Sequence, residues 1–356
     1  SLASDTGAVI CKGASKALDI LKSAGSSVKG WFKNLFTSDN QTSTSKDKKS
    51  EEVLKSDNKE KSKTKVETKQ AISQNSSDPT IKSINSKLSN THTENKSIKL
   101  DELEPNTRVT KAIDEYADEI KNADYATISK NLFTTTKTEN INGSPVQVTH
   151  VVINNPSQIK AAPANGGYGN GLEKPSDAAK RLNSAILVNG SHFDLSGDGT
   201  QDLRGANYIA ISNGQIKTDG NSGGQEMLLD KSGRIFNSYG RSAQDLVNSG
   251  VDYSFSCHST QVIENGDTSP SQREGRAYKR TVVGMKEPCE YYITTDQTGG
   301  NILSNTANYL QSKGCTNAYS LDQGGSVALA RNDKLINQVN SNEGERAVAD
   351  FLYFTE

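Results

Sequence analysis

Apolar side chains are scarce in this sequence: the hydrophobic class fills only 32% of 356 positions, with one tryptophan and two methionines. A chain packed throughout carries more, so part of this one is expected to have no core to join. No apolar run approaches the roughly 18 residues a membrane-spanning helix needs. The N-terminus also lacks the basic start and apolar centre of a signal peptide. The chain opens on Ser1, which leaves export open. Neither charge is in excess. With 41 basic and 42 acidic side chains the formal net charge is −1, too small to draw nucleic acid or an anionic membrane from a distance. Neither a nucleic-acid partner nor a transmembrane segment is expected, and any anionic ligand has to be gripped by a local cluster. Cysteine is sparse as well. Cys11, Cys257, Cys289 and Cys315 show no CxxC or other metal spacing, leaving pairing or burial. Three of them lie in the C-terminal part, so at least one there is unpaired within it.

What is present divides into four stretches. In residues 1–36, Leu18, Leu21, Val28, Trp31, Phe32 and Leu35 recur at three-to-four spacing, which marks one face of a helix. Its lysines are scattered instead of forming a dense block, so docking on a protein partner is preferred to lying on a membrane. Residues 37–100 are almost entirely Ser, Thr, Lys, Asn, Asp, Glu and Gln. Such a stretch cannot bury enough apolar surface to offset chain entropy and reads as a tether. Residues 101–144 form a helical lead-in. There Val109, Ala112, Ile113, Tyr116, Ala117 and Ile120 share a face over 108–121, and Asn106 or Thr107 can cap the start.

From residue 145 to 356 the character changes to short β-like runs between turn signals. PVQVTHVVINNP alternates, AILVN is a short apolar run, and NYIAIS, then Asn213-Gly214, then QIK reads as a hairpin. Helices are expected only near 175–183 and 303–313. The fold class is therefore α+β: a mixed, largely antiparallel sheet with flanking helices, preceded by an N-terminal helix and a polar tether.

Three motifs in this part could carry chemistry. Asn189-Gly190-Ser191-His192-Phe193-Asp194 follows the run AILV, where polar groups at a strand's end can face a cleft. The bland reading is a glycine turn. Lys279-Arg280-Thr281 enters a strand, and the forked guanidinium suits phosphate or carboxylate, although a surface or ion-paired arginine is the commoner case. Ser320-Leu321-Asp322-Gln323-Gly324-Gly325-Ser326 ends a strand in a carboxylate followed by two glycines. That arrangement lets backbone N–H groups approach an anion closely.

Taken in order, these stretches and the later ERAVADFLYF resemble the phosphodiester glycosidase domain, whose pattern is NGG-aromatic-F, RT-x-x-G, LDGGGS and ER-x-V. Here the counterparts are NGSHFD, RTVVG, LDQGGS and ERAV, with Ser191, His192 and Gln323 departing from the family residues. The resemblance spans about 145–356. It implies hydrolysis of a sugar-1-phosphodiester; together with the N-terminal docking helix and long polar tether, it suggests a phosphorylated glycan or teichoic-acid-like polymer as substrate and an extracellular, cell-surface or virion-associated protein such as a phage-tail component. The residues that best meet the demands of that reaction are Asp322 as the carboxylate, acting on water or directly on the anomeric carbon, Arg280 at the phosphate and His192 as an acid or phosphate donor. Substrate would be held by Asn189, Gly190, Gly324, Gly325 and Ser326, with Glu345 and Arg346 either lining the site or pairing with each other. Two other readings stay open: a non-catalytic glycan-binding or structural module on the same fold, and a phosphodiesterase cutting at phosphorus.

One more pattern stands apart. Asp194, Ser196, Asp198, Thr200 and Asp202 place oxygen ligands at alternate positions with Gly199 at the sixth, as in a calcium loop. Gly205 stands where the bidentate glutamate belongs, so a solvated acidic turn competes with calcium. No organic cofactor is implied.

Overall fold

The computed structural model describes residues 77–193, 208–220, 226–257, 259–268, 276–337, 339 and 344–356. The docking helix expected within 1–36, the first part of the tether and the calcium loop at 194–202 lie outside them. The first half of the chain supplies α1 (Pro79–Leu88), β1 (Lys96–Ile98), α2 (Arg108–Glu115), α3 (Ala117–Asn122), β2 (Tyr125–Ile128), β3 (Leu132–Ile141), β4 (Ser144–Ile153), β5 (Ile159–Pro163) and α4 (Pro175–Leu182). Next come β6 (Ile186–Asn189), β7 (Ile209–Ser212), β8 (Gln215–Asp219), β9 (Glu226–Asp230), β10 (Ile235–Phe236), α5 (Ala243–Asn248), β11 (Val251–Ser256), β12 (Ser259–Glu264) and β13 (Asp267–Thr268). The remainder is β14 (Arg280–Glu287), β15 (Glu290–Asp296), α6 (Leu303–Ser312), β16 (Asn317–Gln323), β17 (Leu329–Arg331), β18 (Lys334–Leu335) and β19 (Asp350–Phe354).

A nine-stranded sheet runs β1-β2-β3-β4-β15-β14-β16-β12-β13, and a five-stranded sheet runs β18-β17-β6-β19-β5. Only β1 and β2 pair in parallel in the first, and every pairing in the second is antiparallel. Apolar side chains from the two sheets, including Val151, Val283, Tyr319, Leu321, Val188 and Leu352, share one buried cluster, so the sheets pack face to face. Helices α1 to α3 cover one end of the larger sheet's other face, α6 covers another region, and α4 lies on the outer face of the smaller sheet. The expected α+β class with a largely antiparallel sheet and flanking helices is what is found. Asn213 and Gly214 both take positive φ (52° and 68°) between β7 and β8, which is the twist a two-residue hairpin needs.

The division of the chain needs correction. The tether does not extend to residue 100, because Pro79–Leu88 is helical and buries Ile81, Ile84 and Leu88 at helical spacing. Asp78 caps it, accepting from the N–H groups of Thr80 (2.9 Å) and Ile81 (3.1 Å). Ile84 and Leu88 then join the core under α2, α3 and β2. Nor is 101–144 only a helical lead-in, since β2 and β3 lie within it as members of the large sheet. Thr107 does cap α2 by accepting from Thr110 N–H at 3.1 Å, but the expected single helix breaks at Tyr116.

β3 buries Thr134, Thr135 and Thr136 on both faces. Arg331, from β17 in the other sheet, donates to Thr136 Oγ1 at 2.9 Å and to Thr127 Oγ1 at 3.0 Å, while Thr135 donates to Glu119 from the opposite side. Partners delivered from other layers make a polar strand buriable. All three cysteines among the described residues are free and buried.

Candidate active site

The site forms where β6, β16 and β14 come to the same end of the two sheets. β6 delivers Asn189, which is fully buried. Its Nδ2 donates to the Asp322 carbonyl at 3.0 Å, and its Oδ1 accepts from Thr281 Oγ1 at 2.6 Å and from Ala328 N–H at 3.0 Å. Asn189 thus joins three elements instead of facing ligand, correcting the substrate-binding role expected for it. Gly190 sits beside it, its carbonyl accepting from Asp322 N–H at 2.9 Å. A Cβ there would lie 2.3 Å from Asp350 Oδ1 and 2.8 Å from Phe255, so close packing alone requires glycine at 190.

Asp350, in β19, is one residue that sequence reading missed. Its buried carboxylate accepts from Ser191 N–H (2.6 Å), Ser191 Oγ (2.7 Å) and Tyr253 OH (2.9 Å). This fixes the turn that carries His192, whose own N–H donates to Ser256 O at 3.0 Å. No signal marked Asp350, because it opens an apolar run that reads simply as a strand. Asp350→Asn replaces an acceptor by an amide that must point one N–H at a donor, and should cost about 2 kcal/mol. The shift of the urea midpoint measures it; an unchanged midpoint would show that the turn does not depend on the carboxylate.

Asp322, the last residue but one of β16, is 6% exposed and has its pKa raised above the ordinary value. Burial is the main cause, opposed by hydrogen bonds from Ser326 and from Gln323 N–H and by the charges of His192 and Arg346. The sequence therefore did identify groups that come together: Asp322, His192, Ser326 and Arg346. Gly324 and Gly325 bend the chain beneath them, Gly324 at φ 68°, although its N–H already donates to Lys279 O at 2.9 Å and is not presented to an anion.

Two expected roles change. Arg280 is 4% exposed, and its guanidinium turns to backbone carbonyls. Nη1 donates to Tyr278 O (3.3 Å) and Asn301 O (3.2 Å), and Nη2 to Arg276 O (3.0 Å), while Nε has no partner among the described residues. It fastens a loop where phosphate contact was expected. Glu345 neither pairs with Arg346 nor lines the site. It accepts from Ser176 N–H at 2.6 Å and Ser176 Oγ at 2.7 Å, at the start of α4, where a negative charge meets unsatisfied N–H groups.

Sequence reading also missed Asp296, at the end of β15. It accepts from Arg280 N–H at 3.0 Å and Asn301 Nδ2 at 3.3 Å, and its pKa rises to about 6, mainly through burial. Beside these groups a cleft of about 510 Å³ opens between Ala277, Tyr278, Lys279, Gly299, Gly324, Gly325 and Arg346. Among the described residues no cluster of His, Cys, Asp and Glu could hold a metal.

Residues 182–355 match the family model described as phosphodiester glycosidase. No curated protein matches the chain significantly. Among solved structures, the chain is similar to the zebrafish N-acetylglucosamine-1-phosphodiester alpha-N-acetylglucosaminidase catalytic domain auto-inhibited by its pro-peptide, at 18% identity and a TM-score of 0.49, covering 64% of this chain and 82% of that one. A hypothetical protein from Synechocystis is similar at 15% identity and a TM-score of 0.47, covering 65% and 64%.

Proposed function

Because residues 182–355 match the phosphodiester glycosidase family model, we propose that this protein hydrolyses a sugar-1-phosphodiester at the bond between the anomeric carbon and the phosphate oxygen. The observation that carries the reading is the convergence of separate stretches on Asp322. The 189–190 turn grips its backbone through Asn189 and Gly190, Ser326 bonds its carboxylate, and Arg346 and His192 act on its charge.

In the reaction, water adds to the anomeric carbon and gives up a proton to the Asp322 carboxylate, the C–O bond breaks, and a phosphomonoester departs with the bonding electrons. That leaving group is a weak base and needs little protonation. The demand on the site is a carboxylate beside the developing oxocarbenium ion and positive charge beside the phosphate. Asp322 meets the first demand. A buried carboxylate next to a phosphate anion is doubly penalised, and the charges of Arg346 and His192 offset part of that penalty. His192, half-buried at the same place, is assigned to the departing oxygen.

A phosphorylated surface glycan or teichoic-acid-like polymer, met outside the cell or from a virion, extends this reading. The long polar stretch and helix-patterned start ahead of the domain support it, as a tether and docking segment for a partner protein. Calcium at Asp194, Ser196, Asp198, Thr200 and Asp202 is a further proposal, supported by ligand spacing alone.

Turnover of a sugar-1-phosphodiester in oxygen-18 water tests the reaction. Label in the reducing sugar is expected. Label in the phosphate would instead establish attack at phosphorus, and binding without release of sugar would make the domain a glycan-binding module.

A further inference from the structure

With Arg280 bonded to three carbonyls, the positive charge for the phosphate has to come from elsewhere in the site. The loop leading into β14 brings one candidate to the cleft and the segment before β19 brings another: Lys279 and Arg346 both line it. The cleft is also shaped around them. A Cβ on Gly299 would sit 3.2 Å from Lys279 Cγ, one on Gly325 would sit 2.5 Å from Arg346 Nη2, and one on Gly324 would sit 3.2 Å from Tyr278 Cε1. A side chain at Gly325 would push the end of Arg346 aside, and one at Gly299 or Gly324 would press on Lys279 or on the Tyr278 ring by a few tenths of an ångström. Gly299 and Gly324 in addition hold positive φ, at 73° and 68°.

We propose that Lys279 and Arg346 form the clamp on the phosphodiester, from either side of the Gly324–Gly325 turn, and that Arg280 is the anchor that holds the Lys279 segment in place. The proposal rests on the phosphodiester glycosidase reading of this site and names the residues that select its anionic substrate. Lys279 has its pKa lowered, chiefly by burial and against the charge of Asp296. A partly desolvated ammonium gains more from an arriving anion than an exposed one. Arg346 already acts on the Asp322 carboxylate, so the same guanidinium is within electrostatic reach of the reacting carbon. The anchoring role follows from the Arg280 bonds to Arg276 O, Tyr278 O and Asn301 O, which tie the chain just before Lys279 to the segment entering α6.

The test separates binding from turnover. Full-length protein carrying Asp322→Asn, which removes the proposed chemistry, is titrated with N-acetylglucosamine 1-phosphate with and without Lys279→Met, Arg346→Met or Arg280→Lys. Lys279→Met and Arg346→Met should each weaken binding at least about tenfold and flatten its salt dependence, while melting near the parent temperature. Arg280→Lys should lower the melting temperature and leave the affinity of the folded protein within about threefold. Unchanged affinity in the Lys279 and Arg346 variants, or no binding by the parent protein, overturns the clamp. Wild-type protein that binds the probe through Lys279 and Arg346 but releases no sugar from a sugar-1-phosphodiester would sink the hydrolase reading and leave the clamp standing.

Discussion

Asp322→Asn should cut release of reducing sugar from a sugar-1-phosphodiester by about a thousandfold without loosening the fold. The amide keeps an oxygen to accept from Ser326 and Gln323 N–H and loses only the charge. The expected effect on stability follows from the direction of the pKa shift. Because burial raises the folded-state pKa of Asp322, its contribution to stability is present below the unfolded value and is lost as pH rises through the folded one. At neutral pH the ionised side chain is a liability, so the asparagine variant should melt at or above the wild-type temperature. For the same reason, the acidic limb of the pH–rate profile should lie above the ordinary aspartate range. A variant that keeps more than a tenth of wild-type activity would remove Asp322 from the chemistry. Asp296, whose pKa of about 6 also suits proton transfer, would then be the next carboxylate to replace.

The contrast between Asp322 and Arg280 shows how much of this site was legible. Both sit at strand ends in short motifs, and the sequence marks both as available for chemistry. Whether a side chain at a strand end turns to a cleft or back to the loops around it depends on what those loops offer. Here the carbonyls of Arg276, Tyr278 and Asn301 happen to lie in reach of the guanidinium. Glu345 was misread for the same reason, its partner Ser176 lying 169 residues away. Strands with apolar alternation, such as β4, and the Asn213-Gly214 hairpin were legible because their signal is local.

β3 was not, although it is central to the sheet. Its central residues, Thr134 to Thr136, are buried on both faces, and they become buriable only when Arg331 and Glu119 arrive from other layers. α1 escaped notice because it has only three buried residues in a ten-residue helix within a strongly polar stretch, where composition outweighs pattern. The Asp78-Pro79 start was the one local sign of a helix there.

His150→Gln should destabilise the protein by about 3–5 kcal/mol, far more than its single position in β4 suggests. His150 is 1% exposed and stacks on Tyr292 at 4.1 Å. Its Nδ1 lies 3.0 Å from Glu119 Oε1 on α3, and its Nε2 lies 3.1 Å from Glu290 Oε1 on β15. Both ring nitrogens therefore donate, and the residue is an imidazolium holding two carboxylates. Burial is the largest single influence on its pKa and lowers it, but the bonds and charges of Glu119 and Glu290 together raise it above 6.5. Burial likewise acts against ionised Glu290, yet His150 and Lys286 outweigh it and bring the pKa down to about 2. Glu119 is lowered from 4.5 by the same histidine, again against burial, with Thr135 contributing.

The two kinds of group act at opposite ends of the pH scale. The carboxylates' contribution is complete above their unfolded value of 4.5 and is lost as pH falls through the lowered values. The histidine's contribution is complete below 6.5 and is lost as pH rises through the raised value. Wild-type stability, followed as urea midpoints from pH 3 to 9, should thus peak between 4.5 and 6.5 and fall on both sides. Glutamine can bond one carboxylate but cannot neutralise either, so the variant should lose the alkaline decline and gain stability on acidification as the two glutamates take up protons. If its profile instead keeps the wild-type shape at a uniformly lower level, the loss comes from packing against Tyr292 and Phe133, and the ionic account of how α3 is held to the sheet is wrong.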